Sequence, residues 1–407
     1  MFKYLRIILL LSLFHSQVLA STDFICTVNK ADEDYNLVST WEAAMDDAGS
    51  LTAADIKVFS HSGVVGAMVD GGAVNGASSG ATATIAHATA TQILLYDISG
   101  TFESGEQIYQ TLDVNYIVAA DGGDSPNLCL YIYDDQGELI ESSSIDINII
   151  QGNNNRVYIT SPTNEHHNGK KYGNGARINF TGAGGFRVNS AYTNISWLSI
   201  YISNGVSRAV DVASVTGCFI RNCIIYGGDQ AIFFRGYTNC ECYISSCLIY
   251  GQTTYSIYAF STSYSNVSIY IMGCTLEKML SVNYTRSPSF SDIRNNLVIN
   301  SLDTCYSIVA GTKTFITNGS ADTTGSVGLQ NLTTSEFVSV TPGSEDYHLS
   351  SSAYSIDKGT DLGVSYSAID IDGRDRDASE DIWDLGCDEY VAPSTSIKPQ
   401  VIITNIM

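Results

Sequence analysis

The chain has 407 residues, 20 basic and 42 acidic, for a formal net charge of −22; only 15% of residues are charged and 44% are hydrophobic. So strong a negative balance disfavours nucleic acid and anionic lipid surfaces as partners and favours multivalent cations. The remainder, rich in Ser, Thr, Asn, Gly and Tyr with only six Pro, is the composition of β-structure joined by polar turns.

Residues 1–20 read as a signal peptide. Lys3 and Arg6 supply the positive start, Ile7 to Phe14 the apolar stretch, and Val18-Leu19-Ala20 the small-residue cleavage site. That apolar run is too short to span a bilayer and no later one is long enough. The chain is therefore expected to be secreted and extracellular, without membrane insertion. Cleavage would deepen the net charge to −24.

Residues 21–62 are predicted to form an N-terminal cap, because Leu37, Trp41, Ala44 and Met45 fall on one helical face. A helix over the open end of a stack of strands hides its apolar edge. Residues 63–120 read as a small antiparallel β-module, with alternating strands around Ala83–His87, Gln92–Tyr96 and Gly105–Tyr109 separated by turn residues.

From 121 to 328 the chain repeats itself. Segments beginning at Ile195, Ile220, Ile244, Ile271 and Ile293 share one apolar pattern at offsets of 25, 24, 27 and 22 residues. A period in the twenties with a short β-motif marks a solenoid whose repeats bury apolar faces by stacking. A second strand per coil places Val210, Ile232, Ile257 and Val282 inward, and by alternation Asp211, Phe233, Tyr258 and Asn283 outward in a row. Asn222, Ser246, Gly273 and Asn295 share one turn position. Cys223, Cys247 and Cys274 share another position, as do Cys218 and Cys242, which suits small apolar side chains stacked between rungs better than a zinc site.

Residues 329–390 are predicted to be a C-terminal cap with an Asp-rich motif, and 391–407 a tail whose Val401–Ile406 reads as a free strand. That strand can add to a neighbouring subunit, giving a homo-oligomer or filament.

The coils resemble right-handed parallel β-helices of the pectate-lyase-like superfamily. Asp346-Tyr347-His348-Leu349, Ser355 to Asp361, Ile369 to Arg374 and Trp383 to Tyr390 resemble the closing segment of exported bacterial β-helix proteins of the "choice-of-anchor" type. The resemblance implies an all-β, right-handed parallel β-helix with a short N-terminal helical cap and a small antiparallel insert. Many such proteins have no known activity, and Val391 to Met407 lacks a sorting motif, basic cluster or membrane anchor.

Lyases of this superfamily typically use Ca²⁺ held by clustered carboxylates with an Arg or Lys base, since removing a proton beside a uronate carboxyl requires its charge to be neutralised. Here Asp211, Asp229 and Arg235 flank the Phe233 strand as weak catalytic candidates. Phe233 with Tyr258, and Tyr226 with Tyr250, read as aromatic ladders that either meet sugar rings or only stabilise the coil. His166, His167, Lys170 and Lys171 form a basic cluster that can receive an anionic glycan. Asp370, Asp372 and Asp375 lead an acidic run that either pairs with Arg374 and Arg376 or holds Ca²⁺. The expected function is a structural, adhesive or self-assembling extracellular protein contacting polysaccharide or cell-surface glycan. The alternative is a polysaccharide lyase or epimerase acting on acidic glycans.

Overall fold

The computed structural model describes residues 22–392 apart from 32, 48–55, 121–122, 125, 150–155, 171–174, 206, 214, 238, 262–265, 285–288, 300–303, 310, 364–368 and 377–381. The signal segment, Lys171 and the strand proposed within the tail lie outside the described residues.

Three parallel sheets of nine, seven and eight strands wrap one core as a parallel β-helix. The repeats align as their spacing predicts: Ile195, Ile220, Ile244, Ile271 and Ile293 are successive partners in the nine-stranded sheet, none more than 1% exposed. On the eight-stranded sheet Ile200, Ile225, Ile249, Leu276 and Val298 do the same. Each rung supplies apolar contacts only to its neighbours, so the core is a column of like side chains. All ten cysteines are free and buried, and the Sγ atoms of Cys223, Cys247 and Cys274 lie against backbone carbonyls of their own and the preceding coil.

The start of the coils differs from the expected boundary at 121. Strand Thr22–Val28 already belongs to the nine-stranded sheet, pairing in parallel with Pro126–Ile132. Everything between them is an excursion. Helix Val38–Asp47 buries Trp41 and Met45 in the main core, as its apolar face predicts. A buried coil residue caps it: Glu141 accepts hydrogen bonds from the Val38 and Ser39 amides at 2.7 and 3.2 Å. This carboxylate satisfies orphan donors at the positive end of the helix. The antiparallel module is a closed six-stranded barrel from Lys57–Val65 to Asn115–Ala119, with its own core of Phe59, Ile85, Ile93, Leu95, Ile108 and Ile117. Closure removes its sheet edges.

The shared turn position is left-handed throughout: Trp197, Asn222, Ser246, Gly273, Asn295 and Thr317 have φ between 49° and 58°. Asn and Gly tolerate this region well, whereas Trp197 is an outlier. The polar members bond chiefly to the C-terminal segment rather than only to one another. Asn222 Nδ2 donates to Asp370 O at 2.7 Å, Ser246 Oγ to Ile369 O at 2.8 Å, and Asn295 Nδ2 to Thr360 O at 2.6 Å. The described residues of 329–390 thus do not form a cap over an end of the column. They lie along its flank, where Leu329, Leu332, Phe337, Tyr347, Leu349, Ile371 and Leu385 cover Ile224, Leu248, Tyr250 and Leu297 on the outer face of the eight-stranded sheet. Among the described residues no helix is long and apolar enough to cross a membrane.

Candidate functional site

The outward row on the seven-stranded sheet begins as predicted, with Asp211 beside Phe233 and Phe233 beside Tyr258. It does not continue to Asn283. A register shift near Tyr255 puts Ser281 beside Tyr258, and Leu280 rather than Val282 beside Ile257. Nor is the row an open platform, since Asp211 and Phe233 are only 8% and 7% exposed. The Arg208 guanidinium covers the Phe233 ring at 3.7 Å, with Arg235 at 5.3 Å, and the Phe233 and Tyr258 rings are tilted by 38°.

The structure does bring Asp211, Asp229 and Arg235 together. They line a groove of about 350 Å³ with Arg187, Arg208 and Phe186. Three consecutive strands, Phe186–Val188, Arg208–Ala213 and Gln230–Arg235, present these side chains side by side. Asp211 Oδ2 accepts from Arg208 at 2.8 Å and Arg235 at 2.7 Å, and Arg187 reaches Asp146 at 3.1 Å. Asp229 accepts from the hydroxyls of Thr253 and Thr254. Within this network Arg235 Nε and Asp211 Oδ1 are buried without hydrogen-bond partners, so a donor and an acceptor remain unmade in the groove wall. Arg187 and Arg208 were not legible as members of the site, although the available signal was Arg187 one coil before Asp211 and Arg208 three residues before it on the same strand.

The second predicted ladder is covered. Tyr250 is 2% exposed and Tyr226 half-buried, because Tyr347 of the C-terminal segment packs on Tyr250 at 4.7 Å. A ladder that sequence reasoning missed stands on the nine-stranded sheet: Phe219, Tyr243 and Tyr270 stack at 4.7 and 4.4 Å, within 10° of parallel. Stacking occupies the ring faces that a sugar would need, so it stabilises the coil.

The described members of the basic cluster are each engaged by the protein, although only His167 is buried and Lys170 is exposed. His167 is 2% exposed, pairs through Nε2 with Asn222 O at 2.7 Å, and is pushed down to about 4 by burial. His166 stacks on Trp197 at 4.0 Å, and Lys170 pairs with Asp346 at 2.7 Å. This loop meets the C-terminal segment in a cleft of about 640 Å³ lined by His166, Lys170, His348, Asp372, Arg374 and Asp388 among others. Two features far apart in sequence therefore share one site.

The expected metal trio does not assemble there. Asp370 is fully buried and accepts from the Asp372 and Arg374 amides at 2.9 and 2.7 Å, which makes it a turn-forming residue, while Asp375 is exposed. Asp372 instead joins His348 and Asp388, whose donor atoms lie within 4.8 Å of one another. His348 Nε2 is 2.9 Å from Asp372 Oδ1, and its Nδ1 pairs with Asp346. Burial opposes a charged imidazole here, but Asp372, Asp388 and Asp346 outweigh it and raise His348 to about 9. Burial raises Asp388 and lifts Glu389 to about 7 despite Arg376.

No protein-family model and no curated protein matches the chain. Among solved structures, the crystal structure of pectate lyase Pel9A is similar at 13% identity and a TM-score of 0.30, over 66% of this chain and 88% of that one.

Proposed function

We propose that this is an exported β-helix protein of the choice-of-anchor type that holds an acidic polysaccharide in the arginine-lined groove without turning it over. One observation carries this reading: in a chain of net charge −22, the guanidiniums of Arg187, Arg208 and Arg235 gather at one groove. Guanidinium forks match carboxylates in two parallel hydrogen bonds. Between them, Arg208 and Arg235 spend only part of their five N–H donors each on Asp211 and Gln230.

The lyase or epimerase alternative is favoured by the gathering of Asp211, Asp229 and Arg235 in that same groove. Against it, Asp211 Oδ2 is bridged by two guanidiniums and Asp229 Oδ1 is engaged by two threonines, so these carboxylates are tied to protein partners instead of facing a cation, and Arg235, the base candidate, is itself paired with Asp211.

The test incubates the protein, with and without Ca²⁺, against neutral and anionic polysaccharides, scoring retention and new unsaturated or reducing ends together. Retention of uronate-containing polymers without product supports the proposal. New ends would establish the enzyme reading, and no retention of any anionic polymer would reject both.

A further inference from the structure

We infer that His348, Asp372 and Asp388 form a binding site for a divalent first-row transition-metal ion, in the cleft between the 166–170 loop and the C-terminal segment. An acidic cluster alone would not support this. Three further observations do.

The first is Asp388. It is 2% exposed, its Oδ2 accepts from the Leu349 amide at 2.7 Å, and its Oδ1 has no hydrogen-bond partner. The Arg374 guanidinium stands 3.9 Å from that oxygen, beyond hydrogen-bond reach. A carboxylate oxygen buried in this way is costly unless something satisfies it.

The second is the outer support of His348. Asp346 pairs with Nδ1 and Lys170 holds Asp346 at 2.7 Å. A carboxylate on one imidazole nitrogen fixes the ring so that the other can ligate a metal. Nε2 is the nitrogen that faces Asp372.

The third is Gly169, at φ +73°. A side chain there would come within 2.5 Å of His348 Nε2 and 2.8 Å of Asp372 Oδ1, so glycine leaves the space beside the pair clear.

The donor set selects the ion class. One imidazole nitrogen with two carboxylates suits Zn²⁺ or Mn²⁺, whereas Ca²⁺ takes oxygen ligands alone. Donors around a tetrahedral Zn²⁺ stand about 3.3–3.6 Å apart. Drawing in atoms already within 4.8 Å takes only side-chain adjustment. The metal takes the place of the hydrogen between Nε2 and Asp372, and binding releases that proton to solvent. Three protein ligands leave coordination positions for an oxygen ligand from the cleft. None of these residues lines the arginine groove, so the inference stands or falls independently of the proposed function.

The test titrates Zn²⁺ into metal-free protein by calorimetry and measures bound metal after dialysis. One Zn²⁺ per chain is expected, with Ca²⁺ far weaker. His348→Gln should abolish stoichiometric binding, and Asp346→Asn should weaken it by about 10–100-fold as a positioning residue. Asp375→Asn should leave it unchanged. Binding that persists in His348→Gln, substoichiometric binding by the parent protein, or a preference for Ca²⁺ would overturn the inference. If the His348 variant does not fold, electron paramagnetic resonance of the Cu²⁺-loaded parent decides. Nitrogen coupling from one imidazole is expected, and its absence or a thiolate signature would overturn the assignment.

Discussion

The Arg208 guanidinium lies 3.7 Å from the centre of the Phe233 ring and donates to Asp211 at 2.8 Å, so one side chain both hides an aromatic face and anchors a buried carboxylate. The two roles predict opposite effects of its removal. If guanidiniums receive the glycan, Arg208→Ala and Arg187→Ala each weaken retention of a uronate polymer by about tenfold or more, the scale of one charge-assisted hydrogen bond. If the ring is the receptor, Arg208→Ala uncovers it and retention rises. Affinity electrophoresis of the two variants beside the parent distinguishes these, and a rise would reject the arginine groove.

Attachment of the C-terminal segment depends on Asn222. Its side chain is buried, its φ is 50°, and it donates to Asp370 O and Ile369 O. Asn222→Gly keeps the backbone freedom and loses the hydrogen bonds, at about 1–3 kcal/mol. Asn222→Ala adds about 1–2 kcal/mol for the left-handed conformation. Limited proteolysis should therefore release the segment faster in Ala than in Gly, and faster in Gly than in the parent. Equal rates would mean that the apolar contacts alone hold the segment.

Arg376 is 1% exposed, donating to Glu389 at 3.1 Å and Gly386 O at 2.9 Å. Arg376→Met leaves a buried carboxylate unpaired, a change that costs about 3–5 kcal/mol. Glu389 already sits near 7, so protonation relieves part of that cost in acid. Chemical denaturation should show a larger deficit at pH 8 than at pH 6, and a pH-independent deficit would contradict the ion pair.

Stability should fall as pH rises from about 4 to 9. Burial raises Asp370 and Asp384 to about 6 and Glu389 to about 7, so the native state holds protons that the unfolded chain has already released. Their stabilising contribution disappears as pH rises through those values. His348 and His87 are raised to about 9 despite burial, so their contribution is complete below about 6.5 and lost towards 9. Other groups act in the opposite sense. His167, held down near 4 by burial, costs stability as pH falls below about 6.5. Asp34 and Asp346, lowered by His87 and by Lys170 with His348 in spite of burial, lose their contribution as pH falls below about 4. Urea midpoints measured from pH 3 to 9 should be highest near pH 4, since above it the three raised carboxylates outnumber His167, and a midpoint that climbs from pH 5 to 8 would refute this balance.

The cysteine column should be inert. All ten thiols are buried, and burial and neighbouring cysteines hold Cys242 and Cys247 protonated far above neutrality. Reactivity requires an accessible thiolate. Native alkylation should label none of the ten and denatured alkylation all of them. Rapid native labelling would show that the column opens.

The sequence alone determined the column. Its five rungs, their strand pairing and the stacked cysteines were legible because each repeat packs only on its neighbours, so register is written in the spacing itself. Alternation also gave the correct outward direction for Asp211, Phe233 and Tyr258, and the helical face of Trp41 and Met45 was readable for the same local reason. What alternation cannot say is whether an outward residue meets water. Tyr250 is covered by Tyr347, Phe233 by Arg208, and His167 is buried with its Nε2 on Asn222 O. The tertiary structure decided those covers, as it decided that Thr22–Val28 pairs with Pro126–Ile132 across the barrel, and that the 166–170 loop meets His348 and Asp388. Each of these contacts occurs once, outside the repeat, and several join segments about 100 or more residues apart. No period in the sequence records them, because their energy comes from burial and charge pairing between single partners that meet only in the folded chain.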